Sequence, residues 1–263
     1  MNRAPWRTAL VTGASSGIGR AFATELAGRG TDVVVVARRQ ERLEELAAEL
    51  ASAHGRAIEV LAADLAEPSS LAEVEARLAD PSRPVDLLVN CAGFGTQGLF
   101  AELPVEGEDE EIRVNVLALV RLTRAALPAM IERGHGGVVN VSSVAGEQPI
   151  PRWATYTASK AFVTTFSRAV NAELHGTGVH VLTLLPGFVR SEFQDVSGYG
   201  ANFVPGPAWT TAEQVARTAL ADLERGRDSS IPGVHYRALA AASRLAPWAL
   251  SRRFLRVATR KLS

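Results

Sequence analysis

Tyr156 and Lys160 stand four residues apart in Tyr156-Thr-Ala-Ser-Lys160, and Ser143 ends the run Val138-Val-Asn-Val-Ser-Ser143 thirteen residues before Tyr156. On a helix this spacing puts the phenol and the ammonium on one face, with Cβ atoms roughly 6 Å apart. The chemistry such a pair serves is proton transfer to or from a carbonyl or alcohol oxygen while hydride moves. A free phenol, with a pKa of about 10, is too weak an acid to cycle near neutrality. An ammonium about 4 to 5 Å from the phenolate stabilises it by roughly 3 to 4 kcal/mol at an effective dielectric near 20, or some 2 to 3 pKa units. That is expected to bring Tyr156 close to pH 7, where general acid-base catalysis works best. Ser143 is placed to donate a hydrogen bond to the substrate oxygen as charge develops. The chain has 26 Arg but only two Lys, at 160 and 261, so an ammonium at 160 is a specific choice over a bulkier guanidinium. Taken alone, the pair also fits an exposed helix face; Ser143 and the turn described next weigh against that.

A second constellation is Thr12-Gly13-Ala14-Ser15-Ser16-Gly17-Ile18-Gly19, which follows the apolar run Thr8 to Val11 and opens an amphipathic pattern through Phe22, Leu26 and Ala27. Glycines let backbone approach a pyrophosphate, and the helix start offers free N–H groups and a positive dipole end. The spacing is neither G-x-G-x-x-G nor that of a P-loop. At the end of the next apolar run, Ala37-Arg38-Arg39 puts two guanidiniums where an NAD-selective protein would carry an acid. They suit the 2′-phosphate of NADP(H) through bidentate charge-assisted bonds, or they are solvated partners of Glu41 to Glu45.

These residues need a scaffold, and the pattern supplies one. Strand-like runs at Thr8 to Val11, Val33 to Ala37, Ile58 to Ala62, Val85 to Asn90, Val138 to Ser142 and Val179 to Leu185 are apolar on both faces, as in a parallel sheet covered on both sides. Helical stretches alternate with them, as in Gln40 to Ser52, where Leu43, Leu46, Ala47 and Leu50 recur at the 3.6 period. Without a linker or repeat, this reads as one doubly wound α/β domain, with ligands past the carboxyl ends of the strands. No apolar run is read as approaching the roughly 18 to 20 residues of a membrane span, and the short lead into the first strand leaves no room for a signal peptide. An intracellular, cytoplasmic protein is expected. The lone Cys91 excludes an intrachain disulfide and a thiolate zinc site, none of the five His has ligand spacing, and no metal is expected. Balanced charge, 28 basic against 28 acidic residues, argues against nucleic-acid binding.

The chain resembles the short-chain dehydrogenase/reductase family over about residues 7 to 235. The likeness rests on Thr12 to Gly19, Asp64-Leu65, Asn90-Cys-Ala-Gly93, Asn115, Ser143, Tyr156, Lys160 and Pro186-Gly187 at matching intervals. It implies a single Rossmann-like doubly wound domain, 1 to 235, with a seven-stranded parallel sheet flanked by helices. It implies a tetrad: Tyr156 the acid-base, Ser143 the polariser, Lys160 the tuner and ribose ligand, Asn115 the anchor of a proton-relaying water. Gly13, Ser15, Ser16, Gly17, Ile18 and Gly19 would hold the phosphates and ribose, Arg38 and Arg39 the 2′-phosphate, and Asp64 and Leu65 the adenine. Asn90, Ala92 and Gly93 would flank the ribose; Pro186, Gly187, Val189 and Ser191 the nicotinamide. Cys91 and Ser191 stand where the family commonly has Asn and Thr. Read from the residues alone, Asn115, amid apolar neighbours, is buried and hydrogen-bonded, Asp64 also fits a strand-end turn, and Asn90 a bond between strands.

A loop at about 191 to 211 carries Phe193, Tyr199, Phe203 and Trp209 among glycines and prolines, a composition that suits a lid over an apolar ketone and equally a packed surface loop. Residues 225 to 263 hold nine basic side chains against Asp228 alone, a net of +8, and the extension 236 to 263 has Leu250, Phe254 and Val257 on one helical row with Arg252, Arg253, Arg256 and Arg260 elsewhere. That pattern is compatible with an anionic membrane surface, with an acidic carrier domain, or with a basic helix packed on its own acidic domain. The expected function is NADP(H)-dependent interconversion of a small-molecule carbonyl and alcohol. A 3-oxoacyl-thioester reductase and a non-catalytic NADP(H) sensor are the competing readings, and the family implies a homodimer or homotetramer.

Overall fold

The computed structural model describes residues 6–190, 192–193, 206–233 and 236–237. Tyr199, Phe203, Ser191 and the basic row from Leu250 to Arg260 lie outside them. The strands are β1 (Thr8–Thr12), β2 (Asp32–Ala37), β3 (Ile58–Ala62), β4 (Leu87–Asn90), β5 (Gly136–Val141), β6 (Val179–Leu184) and β7 (Ser229–Ser230). All pair in parallel, in the order β3-β2-β1-β4-β5-β6-β7. The seven-stranded doubly wound sheet is therefore present, although β7, two serines long, carries no apolar signal of its own.

Period-two alternation sorts the strand side chains into two layers. Ala9, Val11, Val33, Val35, Leu87 and Val89 pack with Phe22 and Leu26 of α1 (Gly17–Gly28), Leu46 of α2 (Gln40–His54) and Val215 and Ala219 of α7 (Ala212–Glu224). Leu10, Val34, Val36, Leu88 and Val138 face Leu71 and Val74 of α3 (Pro68–Ala79) and Leu122 and Met130 of α5 (Leu119–Arg133). β3 departs from the expected two-sided burial: as the edge strand it is only half-buried along its length, and Glu59 points to Arg77 and Arg83.

A single helical rod runs from α4 (Val105–Ile112) through a π turn (Arg113–Ala118) into α5. By length and composition the rod, Val105–Arg133, passes for a membrane span, contrary to the expectation that no apolar run approaches that length. Here Leu119, Leu122, Ala126 and Met130 are buried against the sheet, as in the core helix of a globular domain.

The β1–α1 turn owes its tightness to Gly19, where a Cβ would stand 2.2 Å from the Gly13 carbonyl oxygen. Gly19→Ala must push helix and turn apart. We expect it to destabilise the fold by about 2 to 3 kcal/mol and lower Tm by about 5 to 10 °C. An unchanged Tm in scanning calorimetry would refute the close approach.

Candidate active site

The carboxyl ends of the central strands open into one cleft of about 920 Å³. On its floor the β1–α1 turn brings Gly13 (φ +68°) against the Ala92 backbone, 2.9 Å from where a Cβ would sit. Thr12 Oγ1 accepts from the backbone N–H of Cys91 and Ala92, both at 3.0 Å, which locks the ends of β1 and β4 together. The first turn of α1 has no side-chain cap, so its leading N–H groups are left to the cleft. Ser15 to Gly19, Asp64, Leu65, Ala92, Gly93, Pro186, Gly187 and Val189 all line this space. Asn90 is turned into the sheet: its amide donates to Asn140 Oδ1 (2.9 Å) and Thr123 Oγ1 (3.1 Å). Burial pushes the Cys91 thiol up to about 12, which keeps it protonated and unreactive.

At one end of the cleft a basic wall forms. Arg39 donates to Ser15 Oγ (3.0 Å) and to Glu192 (2.9 Å), Arg42 donates to the other oxygen of Glu192, and Arg38 pairs with Glu110 (3.1 Å) and, at 3.9 Å, with Asp64. The partners of Arg38 and Arg39 among the described residues are thus Ser15, Asp64, Glu110 and Glu192, and not Glu41 to Glu45. Such a wall, beside an uncapped helix start and a glycine cradle, fits the phosphates of a dinucleotide.

The catalytic candidates gather at the other end. α6 (Ala154–Glu173) carries Tyr156 and Lys160. Its buried face carries Thr157, Lys160, Val163, Thr164 and Ser167, while Phe162 is exposed and stacks on Phe166. Gly146, in the short turn Val144–Glu147, lets that turn lie on the Lys160 backbone, only 2.7 Å from where a Cβ would be. Ser143 caps that turn, accepts from the Ala145 N–H (3.1 Å) and is hydrogen-bonded to the Tyr156 phenol. Lys160 Nζ donates to the Val141 carbonyl (3.0 Å) and lies 5.8 Å from the Tyr156 ring centre.

Asn115, on the π turn, is 1% exposed and clamps the Phe94 backbone: Nδ2 donates to its carbonyl (2.8 Å) and Oδ1 accepts its N–H (3.1 Å). A Cβ on Gly93 would be 2.8 Å from Asn115 Oδ1 and 3.3 Å from Lys160 Nζ, so Asn115 and Lys160 meet behind Gly93. The π turn inserts the extra backbone unit that aims Asn115 inward, a device common at functional sites. One turn earlier, buried Glu111 accepts from Thr96 N–H and Oγ1, both at 2.7 Å. The sequence reading missed Glu111; an acid four residues before a buried Asn was the available signal.

The electrostatics correct one expectation. Burial pushes the Tyr156 phenol up to about 12, only partly opposed by its bond to Ser143, and Glu111 adds to the rise. Burial likewise pulls Lys160 down to about 8, against the pull of Cys91 and Glu111. The protein by itself does not show the expected acidification toward pH 7: loss of water from the phenolate is the largest influence, and Ser143, not Lys160, is what opposes it. The phenol stays protonated, as a proton donor must.

An aromatic wall encloses Tyr156. Trp153 meets it edge-on at 5.5 Å, and Phe193 tilts over it at 5.5 Å and stacks on Trp153 at 6.5 Å. Of the other loop aromatics, Trp209 packs on Phe188 at 5.8 Å. Tyr236, which the sequence reading placed in the extension, is buried on Gly187, takes the Phe188 N–H on its hydroxyl (2.8 Å) and lines the cleft.

A family model described as short chain dehydrogenase matches residues 7–199. A very-long-chain 3-oxoacyl-CoA reductase of Anas platyrhynchos is 35% identical over 72% of this chain; the match spans 62% of that relative, so this chain accounts for less than two thirds of its length. Among solved structures, a short-chain dehydrogenase from Sphingobium yanoikuyae in complex with NADPH is 37% identical with a TM-score of 0.83, covering 90% of this chain and 93% of that one. A bulky-bulky ketone specific alcohol dehydrogenase from Comamonas testosteroni is 33% identical with a TM-score of 0.79, covering 90% and 92%.

Proposed function

Because this chain belongs to the short-chain dehydrogenase family of oxidoreductases, we propose that it reduces an apolar ketone with NADPH, Tyr156 giving the proton. The observation that carries this reading is a protonated, half-buried phenol hydrogen-bonded to Ser143 under an aromatic wall, with guanidiniums at the far end of the same cleft. Bound there, the cofactor supplies hydride. The chain's own residues do the rest. A carbonyl oxygen between the Ser143 and Tyr156 hydroxyls accepts two hydrogen bonds, which strengthen as negative charge develops. Tyr156 then yields its proton to that oxygen, and the Lys160 ammonium stabilises the phenolate left behind. Trp153 excludes water from the reacting atoms and sets a preference for apolar substituents.

The experiment is a panel of aliphatic, aromatic and steroid-like ketones, followed by loss of the dihydronicotinamide absorbance. Turnover of bulky apolar ketones is the expected result; silence across the panel with tight NADPH binding would sink the catalytic reading in favour of a nucleotide sensor. The resemblance to a 3-oxoacyl-CoA reductase supports a second reading, reduction of a 3-oxoacyl thioester. Preference for such thioesters over simple ketones in kcat/KM would select it.

Cofactor choice rests on the basic wall. Arg39→Asp removes the group that holds Ser15 and replaces it with a like charge for a phosphate. KM for NADPH is expected to rise about 10- to 100-fold relative to KM for NADH, as loss of a charge-assisted pair with added repulsion implies. An unchanged ratio in steady-state kinetics would refute the assignment.

A further inference from the structure

Of the acids paired with the basic wall among the described residues, Glu192 is the one whose chain neighbour packs on Tyr156. Its two carboxylate oxygens are shared out between two guanidiniums, Oε2 with Arg39 at 2.9 Å and Oε1 with Arg42, while Arg39 also holds Ser15. A carboxylate gripped by two Arg forks beside a hydroxyl has the donors that a phosphate monoester would take. The next residue, Phe193, lies on Tyr156 and Trp153. Two adjacent residues therefore hold opposite ends of the cleft, one at the phosphate-binding guanidiniums and one at the catalytic phenol.

We propose that Glu192 occupies the place of the cofactor's 2′-phosphate, and that the phosphate, by displacing it, frees Phe193 from Tyr156 and admits the substrate. The inference rests on the NADP(H) reading of the basic wall and deepens it. A phosphate dianion carries about twice the charge of a carboxylate and three acceptor oxygens, so it wins the guanidiniums. NADH has no group to compete with Glu192 and leaves the Glu192–Phe193 pair where it is. Cofactor selectivity then has two parts: the attraction of Arg39 and Arg42 for the phosphate, and the release of a residue that only the phosphate can expel. Binding is ordered, with cofactor first.

Calorimetric titration of the full chain with NADPH, NADH and 2′,5′-ADP tests this in wild type, Glu192→Gln and Glu192→Ala. Glu192 is half-exposed at the surface, and both variants leave the core intact. Removing the competitor is expected to tighten NADPH and 2′,5′-ADP about 3- to 10-fold, the scale of one or two exposed ion pairs, with NADH moving less than about 2-fold. A further readout is KM for the ketone with NADH as cofactor, which should fall in both variants and in Phe193→Ala. A wild type that prefers NADPH, with variants whose NADPH affinity is unchanged, weaker or shifted equally with NADH, overturns the inference alone. A wild type with no preference between the two cofactors overturns the NADP(H) reading along with it.

Discussion

Tyr156→Phe is expected to lower kcat for the reduction about 10²- to 10⁴-fold while leaving the affinity for NADPH within about 2-fold, the range that a positioned general acid contributes. The ring stays in place, since Trp153 packs edge-on against it and the contact does not involve its hydroxyl. What disappears is the phenol proton beside Ser143. The measurement is single-turnover oxidation of enzyme-bound NADPH by a substrate ketone, with cofactor binding followed separately. A variant with turnover near wild type would mean that the proton comes from elsewhere. Since burial holds the phenol near 12, its protonated form persists across the neutral range, and no loss of reduction through titration of Tyr156 is expected below about pH 10.

Lys160→Met separates stability from function. The ammonium is 6% exposed and burial pulls it from 10.5 down to about 8, so the folded protein binds this proton less tightly than the unfolded chain does. The sign follows: between about pH 8 and 10.5 the unfolded state holds more protons, stability rises with pH through that window, and it is lost as pH falls back through it. At pH 7 the wild type carries the whole penalty, on the order of 3 kcal/mol. Methionine has a similar length and no charge to desolvate. It forfeits the bond to the Val141 carbonyl, so a net gain of about 1 to 2 kcal/mol and a Tm rise of about 3 to 6 °C at pH 7 are expected. Turnover should fall at least ~100-fold, because nothing then stabilises the phenolate. Denaturant melts of both proteins at pH 7 and 10 check the sign: the advantage of the variant must shrink at pH 10. A variant less stable than wild type at both pH values would place the main value of Lys160 in its hydrogen bond.

The linear sequence was enough to place Tyr156, Lys160 and Ser143 at one cleft, because the i, i+4 spacing on a helix and the end of a buried apolar strand are local geometries that the chain carries anywhere. The same holds for the glycine turn and for five of the strands, whose runs of Val and Leu have no alternative to a covered sheet. Ile58 to Ala62 was legible as a strand and not as an edge, since a strand's neighbours are not written within it. β7, with two serines, pairs with β6 only because α7 delivers it there. The helix 105–133 shows the converse: its composition satisfies a membrane span, and packing on the sheet decides otherwise.

By itself, the sequence determined the chemical inventory and its short-range spacing: a phenol and an ammonium on one helical face, a phosphate-sized glycine turn, two guanidiniums at a strand end. Only the tertiary structure decided what each group experiences. Tyr156 is raised where proximity to Lys160 alone predicted a fall, because burial by Trp153, Phe193 and the surrounding strands acts on the charge more strongly than one neighbour does. Glu192, 153 residues from Arg39 in the chain, reaches the basic wall only once the sheet has folded. Desolvation and long-range charge pairing depend on which distant segments meet, and no local pattern encodes that.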